Sequence, residues 1–236
     1  MGRRLVGFDP VERSKMVERI VMKNGARSYY RFRYSLHYNG IVTADAVGCN
    51  LLCAYCWNYR RNEHPEATEF YDPEQAAEKL LSIAKRNKCK LFRISGAEPI
   101  LGEESTVHVA KLIDLVGGTF ILETNGIMLG YEPGLVDRLK DLNVLVRVNV
   151  KGWDEESFEK VTGADGRFFE YQLEALRRLD GKVRYWVAVM YEIFKEEGIE
   201  RLKKMLPVRC RIEVEYLNAY PFVVENLKKR GFSVQQ

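Results

Sequence analysis

The chain has 236 residues, of which 46% are hydrophobic and 30% are charged, and its formal net charge is +4. This length and composition suit one globular domain with a single large core. No apolar run reaches the roughly 20 residues that a membrane-spanning helix requires, and no signal peptide opens the chain, so we expect a cytoplasmic protein with no membrane partner.

The first forty residues are basic, with nine Lys and Arg against three Asp and Glu. Such a segment can contact nucleic acid, an acidic protein or a phosphorylated substrate, although a solvated surface is the simpler interpretation. We expect residues 1–40 to form a short N-terminal extension with a strand pair around Ser28–Tyr38. Residues 41–236 should form the main fold, within one structural domain overall, because no linker rich in Gly, Ser or Pro divides the chain.

From Ile41 onward, apolar patterns typical of strands and helices alternate. The predicted strands are Ile41–Val47, Lys90–Ile94, Thr119–Leu122, Val144–Val150, Val183–Val189 and Arg211–Leu217. The predicted helices are Pro73–Asn87, Val107–Val116, Pro133–Leu142, Phe168–Leu179, Ile199–Leu206 and Phe222–Lys229. Six successive β/α units predict an α/β fold with parallel strands and right-handed crossovers. The pattern fits a doubly wound open sheet as well as a curved partial barrel.

Three cysteines follow the first predicted strand, at Cys49, Cys53 and Cys56, with the spacing C-x3-C-x2-C. A [4Fe-4S] cluster usually takes four thiolates, so a site with three leaves one iron open to a small molecule. The alternative is a zinc site completed by a distant ligand, but zinc sites usually bring thiolates in matched pairs. The two other cysteines, Cys89 and Cys210, stand alone in apolar stretches where core positions are expected, and the odd cysteine count argues against a disulfide framework.

Unusual loops also follow the next three predicted strands. They are Ser95-Gly96-Ala97-Glu98-Pro99, Glu123-Thr124-Asn125-Gly126 and Lys151-Gly152-Trp153. Each loop alone has the composition of an ordinary turn. The carboxyl ends of parallel strands meet at one edge of the sheet, where active sites of such folds lie, so these loops and the cysteines are expected to form one site.

Over about Ile41–Tyr220 the chain resembles the radical S-adenosylmethionine (SAM) superfamily. The resemblance implies a partial (β/α)6 TIM-like barrel. It also implies that Cys49, Cys53 and Cys56 bind three irons of a [4Fe-4S] cluster, while the amino and carboxylate groups of SAM chelate the fourth. Tyr55, just before the last cysteine, is similar to the aromatic residue that packs near the adenine of SAM.

The other loops extend the resemblance. The segment Ser95, Gly96, Ala97, Glu98, Pro99 resembles the family's Gly-Gly-Glu-Pro motif, which receives the methionine amino group of SAM, with Ala97 in place of the second glycine. Closer similarity is to the small activating enzymes of glycyl-radical enzymes, such as the pyruvate formate-lyase activating enzyme. Their Asp-Thr-Asn-Gly resembles the segment Glu123, Thr124, Asn125, Gly126, and their Asp-Leu-Lys, which contacts the SAM ribose and carboxylate, resembles the segment Asn149, Val150, Lys151.

The last predicted strand departs from those activating enzymes, because it lacks the histidine that they tend to carry in a Pro-Tyr-His context. The chemistry implied by the resemblance is reductive cleavage of SAM to methionine and a 5′-deoxyadenosyl radical, which abstracts a hydrogen atom from a substrate. An external one-electron donor of the flavodoxin or ferredoxin type would supply the electron.

The substrate stays open between a glycyl-radical enzyme, a small molecule, and an RNA or other protein. From outside enzymology, the alternative is an iron–sulfur or zinc module that binds a partner without chemistry. Residues that follow the cluster loop and Lys151 are candidate substrate contacts, although aromatic residues there can shield a cluster and arginines can be solvated; these are Trp57, Asn58, Arg60, Arg61 and Trp153. The scattered His37, His64 and His108 are expected in ordinary surface or core positions.

Overall fold

The structure is a computed structural model that describes residues 7–208 and 210–233. A nine-stranded sheet forms its centre. The strands are β1 Met22–Lys23, β2 Ala26–Ser35, β3 Ile41–Ala46, β4 Glu69–Tyr71, β5 Leu91–Ser95, β6 Thr119–Thr124, β7 Val144–Asn149, β8 Tyr185–Met190 and β9 Ile212–Glu215. The helices are α1 Pro10–Val21, α2 Tyr59–Glu63, α3 Pro73–Asn87, α4 Glu103–Val116, α5 Ile127–Tyr131, α6 Gly134–Asp137, α7 Glu155–Thr162, α8 Phe169–Leu179, α9 Tyr191–Lys203 and α10 Pro221–Lys229.

Six of the strands are parallel neighbours in the order β3-β5-β6-β7-β8-β9. They are the six predicted strands, and the sheet that they form does not close. The predicted α/β fold with a partial barrel of parallel strands is therefore confirmed. The carboxyl ends of all six strands lie at the same edge of the sheet, which places their following loops together.

The N-terminal region differs from the expectation. The strand pair predicted around Ser28–Tyr38 is wrong, because Ala26–Ser35 is a single strand that pairs antiparallel with β3, β1 and β4. The helix α1, which was not predicted, precedes it with Asp9 as its N-cap and Pro10 at its first position. Residues 22–35 thus extend the barrel sheet instead of standing apart from it.

Elsewhere the helices follow local signals. Helix α3 begins with a capping box between Asp72 and Gln75 and buries Leu80 against the core. The helix predicted over Pro133–Leu142 is wrong in its length, because only the four-residue α6 lies there, and the short helix α5 precedes the predicted range. Helix α5 passes so close to α8 that a Cβ on Gly130 would meet the carbonyl oxygen of Tyr171.

The apolar core lies between the sheet and its covering helices. Within the described residues, no helix is long and apolar enough to cross a membrane. Cys89 and Cys210 are half-buried and pack against the core, as expected of isolated thiols. Three basic residues of the N-terminal region make contacts within the fold. Arg27 is fully buried, and Arg31 and Arg33 both pair with the buried Asp45.

Candidate active site

A cavity of about 420 Å³ opens at the carboxyl ends of the parallel strands. Every residue that the sequence singled out for the cluster or for SAM lines it. These thirteen are Cys49, Cys53, Tyr55, Cys56, Ser95, Gly96, Ala97, Glu98, Glu123, Thr124, Asn125, Asn149 and Lys151. The fold therefore brings together residues that are as far as 102 positions apart in the chain.

The cysteine loop leaves β3 through Gly48, whose φ of +90° is in the left-handed region. A Cβ at this position would lie 2.6 Å from Val17 and 2.9 Å from Val21 of α1. Both the backbone conformation and the close approach of α1 therefore require glycine. The carbonyl of Gly48 also accepts a hydrogen bond from the amide of Glu98, so the first and second loops are joined here.

Two further sets of contacts fix the cysteine loop. The amides of Leu52 and Ala54 donate to the carbonyls of Thr162 and Val161 at the end of α7. On the other side, the Arg13 guanidinium of α1 donates to the carbonyls of Cys49, Asn62 and Glu63 at 3.2, 2.5 and 3.2 Å respectively. Arg13 thus ties the first cysteine to the end of α2, the helix that follows the third.

The three thiols lie in a water-poor setting. Burial raises the pKa of Cys53 to about 11 and also raises the pKa values of Cys49 and Cys56. A buried thiolate needs a compensating cation, and a bound metal ion is such a cation, because it binds the deprotonated thiol. In the described residues, no three His, Cys, Asp or Glu side chains are grouped around the position of a single metal ion. A [4Fe-4S] cubane does not require three ligands around one metal position, because each of the three cysteine thiolates binds a different iron.

Side-chain amides surround the sulfur atoms. Asn62 lies 3.6 Å from the Cys56 sulfur through its Nδ2, and the backbone amide of Leu51 lies 3.4 Å from the Cys49 sulfur. The fully buried Asn50 accepts a hydrogen bond from Asn125 at 2.7 Å, but its own Nδ2 has no partner. Such donors suit a cluster, because thiolate and sulfide sulfur atoms accept hydrogen bonds.

Glu98 joins the second loop to the third. Its carboxylate accepts from the Thr124 hydroxyl at 2.5 Å, from the Asn125 amide at 2.7 Å and from the Ile100 amide at 3.1 Å. The side chain is buried, which raises the pKa of Glu98 to about 7. On its other side, the fully buried Arg27 donates 2.7 Å bonds to the carbonyls of Glu98 and Pro99. The carboxylate therefore holds the loops in place.

The carbonyl of Gly96 receives two amide donors, Asn58 at 2.7 Å and Asn62 at 3.0 Å. Both asparagines follow the cysteine loop, and Asn62 also contacts the Cys56 sulfur. Gly96 has a φ of +84°, and a Cβ there would lie 3.2 Å from the carbonyl oxygen of Ala46. The second loop is thus attached to the segment that carries the third cysteine.

The fourth loop presents Asn149 and Lys151. The Arg147 guanidinium donates to Asn149 Oδ1 at 2.7 Å. The NH2 group of Asn149 has no hydrogen-bond partner among the described residues. Lys151 Nζ lies 5.1 Å from the centre of the Tyr55 ring. Burial lowers the pKa of Lys151, but Tyr55 and Cys53 beside it more than offset this and raise it above its ordinary value.

Of the five candidate substrate contacts, only Trp57 lines the cavity. Asn58 is buried and holds Gly96, while Arg61 lies over the Tyr30 ring, 4.6 Å from its centre. Arg60 does not line the cavity either. Trp153 packs edge-on against Phe194, with ring centres 5.4 Å apart. His64 is exposed and His108 is buried, as expected, whereas His37 lines the cavity.

Sequence reasoning missed two arginines that lie inside the barrel, Arg93 and Arg147, and the carboxylates with which they pair. Arg93 on β5 donates to Glu123 on β6 at 2.8 Å, and the Tyr38 hydroxyl donates to the same carboxylate at 2.8 Å. Arg147 on β7 binds both carboxylate oxygens of Glu213 at 3.1 Å. The signal was available, because Arg93 and Arg147 are each the one charged residue of an otherwise apolar strand, and charged residues are rarely buried unless they are paired.

The radical SAM superfamily model matches residues 45–214. A probable GTP 3′,8-cyclase of Thermoplasma volcanium is 28% identical over 124 residues, which is 50% of this chain and 35% of that protein. A pyruvate formate-lyase-activating enzyme of Clostridium pasteurianum is 25% identical over 211 residues, which is 83% of this chain and 84% of that protein.

A crystal structure of Streptococcus suis SuiB bound to S-adenosylmethionine has the same fold, with a TM-score of 0.55 and 15% identity over 79% of this chain and 45% of that one. The family match covers more than half of the chain. The protein therefore belongs to the radical SAM superfamily, an enzyme family that uses a [4Fe-4S] cluster and S-adenosylmethionine.

Proposed function

We propose that this protein reductively cleaves SAM at a [4Fe-4S] cluster held by Cys49, Cys53 and Cys56, and that the resulting radical abstracts a hydrogen atom from a substrate. The observation that carries the proposal is the convergence of all thirteen predicted residues on one cavity. When bound, the cluster and SAM together supply a 5′-deoxyadenosyl radical and methionine by one-electron reduction of the sulfonium.

The residues fit a cluster. Three thiols from a single loop line the cavity, and burial disfavours their free thiolates. The unpaired Nδ2 of Asn50 and the Asn62 amide near Cys56 are donors that cluster sulfur would satisfy. Three cysteines leave one iron of a cubane without a protein ligand, as binding of SAM requires.

The residues also fit SAM. Lys151 is a cation that can pair with the carboxylate, and the neighbouring Tyr55 ring is a surface on which an adenine can pack. The free NH2 of Asn149 can donate to a ribose hydroxyl, because Arg147 occupies its oxygen. Two hydrogen bonds fix the backbone of residues 95–98: the Glu98 carboxylate accepts from the Asn125 amide, and the Gly96 carbonyl accepts from the Asn62 side chain. The backbone groups of this segment at the cavity are therefore pre-positioned for the amino group of SAM.

The protein groups contribute by orientation and by exclusion of water. The contacts of Glu98, Asn62 and Asn125 hold the first three loops in one arrangement, which limits the motion that would separate SAM from the open iron. Family members need an external electron donor, and we propose one of the flavodoxin or ferredoxin type. The Trp57 side chain, 42% exposed at the cavity, is a candidate for shielding the cluster from solvent.

The test is anaerobic reconstitution with iron and sulfide, reduction, and addition of SAM. We expect about four irons per chain and formation of 5′-deoxyadenosine and methionine. Cys53→Ala should lose both, whereas the matched variant Cys89→Ala, outside the cavity, should retain both. A fully loaded cluster that yields no 5′-deoxyadenosine would disprove the proposed activity, and normal iron content in a Cys49, Cys53 or Cys56 variant would disprove that ligand assignment.

Activation of a glycyl-radical enzyme is a second candidate at the level of the substrate. The C. pasteurianum relative supports it, because the similarity extends over 84% of that protein. The last strand does not, because it lacks the histidine that the activating enzymes tend to carry there. Formation of a glycyl radical in a candidate partner, followed by spin resonance, would support this substrate.

A further inference from the structure

Besides Arg147 and Lys151, three basic side chains line the same cavity as the cysteines. They are Arg33 on β2, His37 in the turn before β3, and Arg93 on β5. We infer that these residues, called the basic end of the cavity, bind an anionic group, carboxylate or phosphate, of a small-molecule substrate. The inference rests on the proposed function and names the substrate class for it.

The turn between β2 and β3 places His37 at the basic end. Its neighbour Tyr38 has a φ of +53° and donates through its hydroxyl to Glu123, which also accepts from Arg93. The Arg93 guanidinium carbon lies 5.7 Å from the centre of the Tyr38 ring. The turn is therefore anchored beside Arg93, with His37 directed to the cavity.

The carboxylates nearby are already paired. Asp45 accepts from both Arg31 and Arg33, and Glu123 accepts from Arg93 and Tyr38. Across the cavity, Glu213 and Glu215 both pair with Arg147, which has a side chain only 3% exposed. These acids neutralise the arginines in part but use only some of their hydrogen-bond donors.

Both arginines keep unused donors, and both line the cavity. Arg33 binds Asp45 through Nε and Nη2, and Arg93 uses Nε for Thr43 and Nη1 for Glu123, so each keeps one Nη without a partner among the described residues. The His37 ring likewise makes no hydrogen bond within the described residues, where only the backbone amide of His37 donates, to the Ser35 hydroxyl. Arg93 is 7% exposed, so its free Nη has little access to water except through the cavity. Donors on nearly buried guanidinium groups bind carboxylate or phosphate oxygens strongly.

The local potential agrees with this geometry. Burial lowers the pKa of His37, and the positive charges of Arg93 and Arg33 lower it further, against the opposite effects of Glu123 and Glu215. A neutral imidazole still donates one hydrogen bond. Because Arg93 is nearly buried, the anion must enter the barrel, which suits a small molecule better than an intact nucleic-acid backbone.

The test uses the reconstituted protein and two probes, inorganic pyrophosphate and succinate, with affinities measured by calorimetry. Arg33→Gln and His37→Gln should each weaken at least one probe about tenfold or more, the effect of losing a hydrogen bond to a charged group. Arg31→Gln is the matched control, since Arg31 pairs with the same Asp45 at the same 2.7 Å but does not line the cavity. The probe that binds distinguishes a phosphate from a carboxylate site.

SAM carries its own carboxylate, so Lys151→Met is the second control. Retained probe affinity in this variant supports a separate site. Three outcomes would each overturn the inference. The first is loss of probe affinity in Lys151→Met but not in Arg33→Gln, and the second is an equal loss in Arg31→Gln and Arg33→Gln. The third is the absence of saturable binding of either probe. SAM cleavage is measured in parallel, so that an inactive protein that still binds the probe refutes the proposed function and leaves the anion site standing.

Discussion

Replacement of Gly48 by alanine is expected to destabilise the protein and to impair cluster loading, because this glycine connects β3 to the first cysteine. An alanine with the observed φ of +90° would adopt a left-handed conformation, which costs about 1–2 kcal/mol. Its Cβ would also lie 2.6 Å from Val17 and 2.9 Å from Val21, in the packed face of α1. Overpacking of this kind costs about 1–3 kcal/mol, so the predicted loss is about 2–5 kcal/mol in all.

The matched control is Gly181→Ala. Gly181 has a similar φ of +74°, but nothing lies within 4 Å of a Cβ there, so only the backbone cost of about 1–2 kcal/mol is expected. Equilibrium urea unfolding of both variants gives the two free energies, and their difference isolates the contact with α1. Iron content after reconstitution should fall in Gly48→Ala and not in Gly181→Ala. Equal destabilisation of the two variants would refute the argument that α1 is packed against the cysteine loop.

Three further results are expected. Lys151→Met should keep its iron but bind SAM about tenfold more weakly by calorimetry; unchanged affinity would remove Lys151 from the SAM site. Asn62→Leu removes the side-chain donor 3.6 Å from the Cys56 sulfur, so a redox titration should give a lower cluster potential. Asn58→Leu should leave the potential unchanged, because the Asn58 side chain binds the Gly96 carbonyl and only its backbone, which the substitution keeps, contacts Cys56. Burial raises the pKa of Glu98 from 4.5 to about 7, so the folded protein holds this proton more tightly than the unfolded chain does. The free energy of unfolding in urea should therefore fall as pH rises across that interval, and Glu98→Gln should flatten this part of the pH profile. The same profile in Glu98→Gln would show that another group causes it.

Much of the site was predictable because it is made of loops with unusual composition. The cysteine spacing indicated a metal centre, and the alternation of apolar patterns placed the other loops at the same ends of parallel strands. The structure brings all of these loops to one cavity. Local signals also gave the long helices, since α3 has both a capping box and an apolar face.

Residues whose position depends on pairing across strands were not predictable in the same way. The strand Ala26–Ser35 alternates aromatic residues with arginines over residues 30–34, but this pattern does not show what its three arginines bind. Arg27 supports the Glu98 loop, and Arg31 and Arg33 bind Asp45. A sequence pattern reports burial of apolar side chains and gives little information about charges that are paired inside a barrel.

The division for this protein is therefore between local chemistry and long-range pairing. The sequence by itself determined the family resemblance, the six β/α units and the loops that carry the cysteines, because these depend on residues close together in the chain. Only the tertiary structure decided that Arg33, His37 and Arg93 lie in one cavity with Cys49, since they belong to different elements of the sheet. Strand order and register set those distances, and no short segment of sequence encodes either of them.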